Sequence, residues 1–241
     1  MVSPDKIKHF VIVRFFPYQR STFPHDVLDV DFLSKQLPLT KNILSSLENQ
    51  TNKNFELVFL INEKCFSESR YGFVFSALRD SSALPIKFIK SNEKARLIKE
   101  ASKDYDFVIQ SRMDFDDFVF KDAIADTQSK VIECNQILAY GYCKGYRYVL
   151  GELYPNFSTF GGKGPYAVLA SLICDSAFAS KFPDVSVYQF PHDNLRPTLK
   201  NFLEKKGISF SENMFQLNTK TIAYIYFKHE FSQQLLCTNK V

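Results

Sequence analysis

The sequence predicts an α/β protein built on a mostly parallel central sheet with helices on both faces. Three observations carry that expectation. Short apolar runs rich in β-branched and aromatic residues recur at 10–13, 55–61, 86–89 and 107–109. Between them lie segments with helical spacing of apolar residues, at Leu39, Ile43, Leu44 and Leu47 and again at Ala95, Leu97 and Ile98. No stretch rich in Gly, Ser or Pro divides the 241 residues. Strands that alternate with helices are joined by crossovers, and crossovers make neighbouring strands parallel. A single domain over 1–241 follows, with 1–120 as its more regular half and 121–241 as a variable C-terminal half.

Each element has a local reason. The run at 10–13 is apolar throughout, as in a strand covered on both faces. Pro38 sits where a first helical turn tolerates it, ahead of the helix at 39–47. Asn92 is a suitable cap for a helix over 93–102. In the second half the pattern predicts strands at 131–133, 137–142 and 146–150, with turns at 141–145 and a glycine-containing loop at 160–165. Helices are expected over 166–175 and 194–206, and a late strand over 221–227.

Composition narrows the function classes. The 25 Phe and 12 Tyr supply a large aromatic core without any Trp, so a chain of this size needs no disulfide staples. A net charge of +4 is too mild for a nucleic-acid binder and suits anionic small molecules or an anionic membrane surface. The five cysteines are odd in number and include no C-x-x-C pair, which predicts reduced thiols. The apolar run after the charged N-terminus ends at Arg14, too short for a signal peptide, and no span of about 18 apolar residues occurs. The expectation is a cytoplasmic protein.

The densest acidic cluster, Asp114-Phe115-Asp116-Asp117, directly follows the fourth strand. In extended backbone, residues two apart point the same way, so Asp114 and Asp116 are expected to present their carboxylates together. The carboxyl ends of parallel strands are where open α/β sheets bind ligands. Two such carboxylates suit a hard divalent cation bridging a diphosphate. The plainer reading is an acidic turn whose last Asp caps a helix.

Two motifs add a resemblance. The stretch Ser46-Leu47-Glu48-Asn49-Gln50-Thr51-Asn52-Lys53-Asn54-Phe55-Glu56 resembles the "S-L-x-x-Q-T-x-x-N-F-E" of GT-A fold nucleotide-sugar glycosyltransferases. Arg112-Met113-Asp114-Phe115-Asp116-Asp117 resembles the "R-L-D-x-D-D" of a bacterial family named "putative rhamnosyltransferases", and Arg14-Phe15 is similar to its "R-F" after the first strand. The resemblance runs from residue 10 to about 120, with weaker echoes to about 230.

It implies a GT-A, Rossmann-like fold whose first half (1–120) binds the nucleotide-sugar and whose second half (121–241) binds the acceptor. It implies a metal-dependent, inverting transfer of a hexosyl or deoxyhexosyl group from a UDP- or dTDP-linked donor. The acceptor would be a saccharide or lipid-linked saccharide in bacterial surface polysaccharide synthesis, made in the cytoplasm or against the inner face of the plasma membrane. Asp114 and Asp116 would hold Mn2+ or Mg2+, with Asp117 near the sugar or supporting the metal. Arg14 and Arg112 would lie at the nucleotide end. Asn62 stands where many relatives have an Asp for the base.

His229 resembles the late metal ligand of such enzymes. Asp193 resembles their general base, though His192 replaces the usual preceding Glu. Gly162, in the loop at 160–165, would border donor and acceptor. As plain structure, His229 is a surface histidine, Asp193 a helix cap and the glycines a turn. His9 and His25 are expected to be structural. Tyr140, Tyr142, Tyr146 and Tyr148 alternate as sugar-stacking rings would, or as ordinary strand tyrosines. The second overall reading is a non-catalytic glycan-binding or scaffolding protein on the same fold.

Overall fold

The computed structural model describes residues 2–16, 26, 28–149, 151–157, 168–189 and 195–228. Its strands are β1 (Ile7–Phe15), β2 (Glu56–Ile61), β3 (Ile86–Ile89), β4 (Phe107–Asp114), β5 (Phe118–Val119), β6 (Ile137–Val149), β7 (Glu152–Phe157), β8 (Ala170–Asp175) and β9 (Phe215–Lys228). The helices are α1 (Val30–Gln36), α2 (Thr40–Glu48), α3 (Glu63–Ser67), α4 (Gly72–Asp80), α5 (Lys94–Asp104), α6 (Ala123–Ser129), α7 (Ser176–Lys181) and α8 (Leu195–Lys205).

The described strands form one nine-stranded sheet in the order β3-β2-β1-β4-β8-β6-β9-β5, with β7 paired to β6. The first four run parallel. β8 then lies antiparallel between β4 and β6. β6 runs parallel to β9, and β5 closes the order antiparallel to β9. This is the expected α/β class, parallel in its first half and mixed in its second.

β1 sits between β2 and β4 and is apolar on both faces. Val11, Val13 and Phe15 join Leu57, Phe59 and Ile61 in one core, under Ile43 and Leu44 of α2 and Val74 and Leu78 of α4. Phe10 and Ile12 join Val58 and Leu60 in the other, under Leu97 of α5, Phe178 of α7 and Leu199 of α8. The period-two alternation of a strand thus divides β1 between two cores, which is why a nearly unbroken apolar run serves it.

A polar network crosses the first core. His9 is fully buried; its Nε2 lies 2.7 Å from Ser111 Oγ, which lies 2.6 Å from Ser171 Oγ on the next strand. Gln128 Nε2 donates to the Asn54 carbonyl and lies 3.3 Å from His9 Nδ1. A neutral imidazole donating from Nε2 and accepting at Nδ1 satisfies both contacts.

Several second-half elements differ from the sequence expectation. Residues 131–133 lie in a 3-10 turn (Lys130–Glu133), not a strand. No turn interrupts 141–145: β6 runs through it with a bulge beside Lys144. Residues 170–175 of the expected helix form β8, whose apolar run is buried as a strand between two others. The carboxylate cluster also departs from the extended form, because β4 ends at Asp114 and the Asp117 N–H donates to the Asp114 carbonyl, closing a turn. Asp114 and Asp116 therefore do not share a strand face. Tyr140 and Tyr142 are buried, bonded to Asp126 and to the Ala123 carbonyl, so neither offers a sugar-stacking ring. Cys65, Cys134, Cys143 and Cys174 are free thiols.

Two predictions follow from this packing. Burial holds the His9 imidazole down to about 3. Below its ordinary range near 6.5 the unfolded chain therefore binds a proton that the folded chain refuses, and stability should fall by about 1.4 kcal/mol per pH unit from this group. Urea titrations between pH 6.5 and pH 4 should show a shallower loss for His9→Gln than for the native protein. At Gly145, an added Cβ would stand 2.4 Å from the buried Tyr224 ring. Gly145→Ala should therefore cost about 1–3 kcal/mol, read as a lower urea midpoint.

Candidate active site

The parallel strands β1, β2, β3 and β4 end on the same side of the sheet, and the residues expected to act gather there. In the β1–β4 register Arg14 stands opposite Asp114. Their side chains meet as an ion pair, with guanidinium Nη2 2.6 Å from Asp114 Oδ1 and both partly buried. The pairing is a direct product of register: a slip of one residue would send Asp114 to the opposite face.

The alternation along β4 sets the rest. Gln110, Arg112 and Asp114 point to the same side as Arg14. The Gln110 amide donates to the Val185 carbonyl at 2.9 Å, which fastens residues 185–189 against the strand. Tyr188, in the short 3-10 turn Val187–Gln189, then lies over the seam between β1 and β4. Its hydroxyl is 2.5 Å from the Ile12 carbonyl oxygen and 3.0 Å from that of Met113. Burial pushes this phenol above its ordinary range, although Arg112 and Arg14 pull it down.

Three cations surround the Tyr188 ring. The Arg112 guanidinium is 4.9 Å from its centroid, the Lys94 ammonium 5.4 Å and the Arg14 guanidinium 5.7 Å. All three fall within the range of cation–π attraction.

The carboxylate turn is braced from the other face. Phe115 packs edge-on to Phe15 at 5.3 Å and against Phe16 at 4.9 Å. Phe16 also packs on Phe32 and holds a left-handed φ of 45°, an uncommon conformation for a bulky residue that its neighbours must maintain. Just past the turn, Gln50 donates to the Phe120 carbonyl and accepts from the Ile124 N–H. The Thr51 N–H donates to the Lys121 carbonyl. The Gln50-Thr51 motif is thus a clasp on the carboxylate loop and touches no open cleft through these bonds.

Within the turn Asp117 is buried. Its Oδ2 accepts the Asp114 N–H at 3.3 Å, while Oδ1 has no hydrogen-bond partner. Burial, then the Asp116 and Asp114 carboxylates, push its carboxyl well above the ordinary range. Among the described residues no three His, Cys, Asp or Glu side chains converge at metal-ligand spacing. The residues nonetheless suit Mg2+ or Mn2+. Such ions take hard oxygen donors and commonly use one or two carboxylates, completing their shell with waters and substrate phosphates. The orphaned Asp117 oxygen beside two further carboxylates marks a place short of positive charge.

Asn62 lies at the carboxyl end of β2, where its side chain caps α3 by accepting the Lys64 N–H. Asp193, Gly162 and His229 lie outside the described residues. Nothing in the sequence pattern points to Tyr188 or Lys94. The charged alternation Arg112, Asp114 inside an apolar strand was the available signal that something polar packs on this face.

The family described as "Putative rhamnosyl transferase" matches residues 34–210, well over half of the chain and the whole of the carboxylate turn. The chain belongs to this family. The mixed α/β sheet, parallel in its first half, is the fold class that the sequence predicts. Among curated proteins none matches. The solved structures to which the chain is similar include S. aureus TarS 1–349 in complex with UDP-GlcNAc, at 18% identity and a TM-score of 0.48, covering 95% of this chain and 60% of that one. The same protein in complex with UDP gives 18% and 0.44, covering 92% and 60%. The 4-diphosphocytidyl-2C-methyl-D-erythritol synthase of Anaerococcus prevotii gives 10% and 0.44, covering 90% and 87%. The chain spans only 37% of a longer TarS chain. Among the described residues no helix is long and apolar enough to cross a membrane.

The environment of Asp117 bears on the stability of the protein without ligand. A carboxyl raised in the folded state adds stability at low pH and loses it as pH rises. Asp117→Asn should therefore melt at a higher temperature than the native protein at pH 8, with the gap narrowing toward pH 5 in differential scanning calorimetry.

Proposed function

We propose that this protein is a glycosyltransferase that moves a hexosyl or deoxyhexosyl group from a UDP- or dTDP-linked donor, with metal assistance and inversion, to a saccharide or lipid-linked saccharide acceptor of a bacterial surface polysaccharide. The observation that carries the reading is the carboxylate turn at the end of β4, with its buried, partly unpartnered Asp117. Asp114 and Asp116 would hold Mg2+ or Mn2+, which when bound neutralises charge on the departing diphosphate.

The chain's own residues do the remaining work. Arg14 keeps Asp114 fixed through a charge-assisted hydrogen bond, a stronger and better oriented contact than a neutral one. Phe115 and the Gln50 clasp hold the turn rigid, so its donors need little reorganisation as charge develops. Asp117 braces the turn from below through the Asp114 N–H. Asn62 borders the nucleotide end. Asp193 would take the proton from the acceptor hydroxyl as that oxygen attacks the anomeric carbon; Gly162 would border donor and acceptor, and His229 is a further candidate ligand. Work at the inner membrane face belongs to the same reading, since an acceptor on a lipid would be presented there.

Thermal-shift and transfer assays over a panel of UDP- and dTDP-sugars, with and without Mn2+, test this. A donor should stabilise the protein only with metal, and Asp116→Ala should abolish both that shift and transfer, lowering turnover by at least about 100-fold, while leaving the melting temperature of the free protein unchanged. Glycan binding with neither transfer nor donor hydrolysis across the panel would assign the chain to recognition instead.

A further inference from the structure

We propose that a groove beside the free edge of β3 seats the hydrocarbon chain of an anionic phospholipid, with Arg79 and Lys90 holding its phosphate, and so docks this end of the sheet on a membrane surface. The inference rests on the reading above that the acceptor is met at a membrane face, and it gives that contact a place in the fold.

Along β3, Ile86 and Phe88 alternate with Lys87 and turn to the side covered by α4. On α4, Gly72, Phe75 and Arg79 share one face at helical spacing, while Val74 and Leu78 enter the core. With Phe66 of α3 these residues line an open groove of about 530 Å³, within the range of about 300–1,000 Å³ of small-molecule pockets. Its walls are a continuous aromatic surface. Phe66 and Phe75 meet at 5.2 Å between ring centres, and Phe75 and Phe88 at 5.0 Å. Phe66 is still 38% exposed. A Cβ added at Gly72 would meet no atom within 4 Å, so the groove is open there.

Two cations border it. The Arg79 guanidinium lies 5.1 Å from the centre of the Phe88 ring, and the Lys90 ammonium 5.6 Å from that of Phe66. Neither enters an ion pair among the described residues. The nearby carboxylates Glu68 and Glu93 are paired to Arg70 and Arg96 instead. Among the described residues the lining has one polar side chain, that of Arg79. Such a groove suits a ligand that is apolar along its length and anionic at one end. A sugar or nucleotide would leave its polar groups unpaired against the rings. A second copy of this chain would bring Arg79 and Lys90 against their own counterparts. An added peptide strand would find only the four residues of β3 to pair with. An anionic phospholipid supplies both parts, a chain for the rings and a phosphate for the cations.

Sedimentation with vesicles of phosphatidylcholine, alone or mixed equally with phosphatidylglycerol, tests the groove. Native protein would be compared with Gly72→Leu, Arg79→Gln, Lys90→Gln and, from the helix on the opposite face of the sheet, Lys103→Gln. Native protein should bind the mixed vesicles and leave phosphatidylcholine alone. Arg79→Gln and Lys90→Gln should each weaken binding about fivefold. Gly72→Leu fills the groove and should weaken it at least about fivefold with no loss of melting temperature, whereas Lys103→Gln should bind as native protein does. Because the chain has no Trp, Phe66→Trp provides a single indole, whose emission should shift to the blue with the mixed vesicles. Equal losses from Lys103→Gln and the groove variants would overturn the groove and leave the membrane-face reading standing. Native-like binding by Gly72→Leu together with an unshifted indole would do the same. Binding of neither vesicle by the native protein would overturn both. Self-association that Gly72→Leu abolishes would seat a second copy in the groove and overturn the lipid.

Discussion

The pairing of Arg14 with Asp114 across the β1–β4 seam is the constraint on which the candidate site depends. It exists because two apolar strands share one register, set by cores on both faces that leave no alternative alignment. Once that register is fixed, Arg112 falls on the same face, the carboxylate turn begins one residue beyond the ladder, and the Tyr188 segment finds its place over the seam. The electrostatics of the site is therefore an outcome of hydrophobic packing some distance behind it. The charged residues sit at the rim of that packing and could not specify their own positions.

The first half of the fold was legible because its signals are redundant. The runs at 10–13 and 55–61 are apolar at successive positions, as buried parallel strands are, and the intervening segments have helical period. The second half was less so, for a physical reason. A strand inserted between two others, such as β8, is uniformly apolar over six residues, and at that length periodicity does not distinguish it from a buried helix. The glycines of β6 suggest turns, whereas the strand is continuous and Gly145 leaves room for the Tyr224 ring.

For the site, residue identity was more informative than geometry. The cluster Asp114, Asp116 and Asp117 stands out in the sequence, yet the alternation of side chains does not reach it, because β4 ends at Asp114. The Gln50-Thr51 motif is equally conspicuous, and in the structure it is a backbone clasp on the loop following the carboxylates. Tyr188 and Lys94 are ordinary residues that meet only through tertiary placement. A cation–π cluster assembled from four separate segments leaves no spacing to find.

The ends of the strand order have a consequence for how the molecule behaves in a crowded solution. A sheet this wide would offer long rows of open amides and carbonyls if its outer strands were extended. Along its main strand order it terminates in β3, four residues long, and β5, only two, while β7 forms a further six-residue margin beside β6. Lys87 stands exposed on β3 and reaches back to Glu56, placing a hydrated charge where a second sheet would have to dock. At β3 a short, charged margin of this kind gives a neighbouring chain little template to extend.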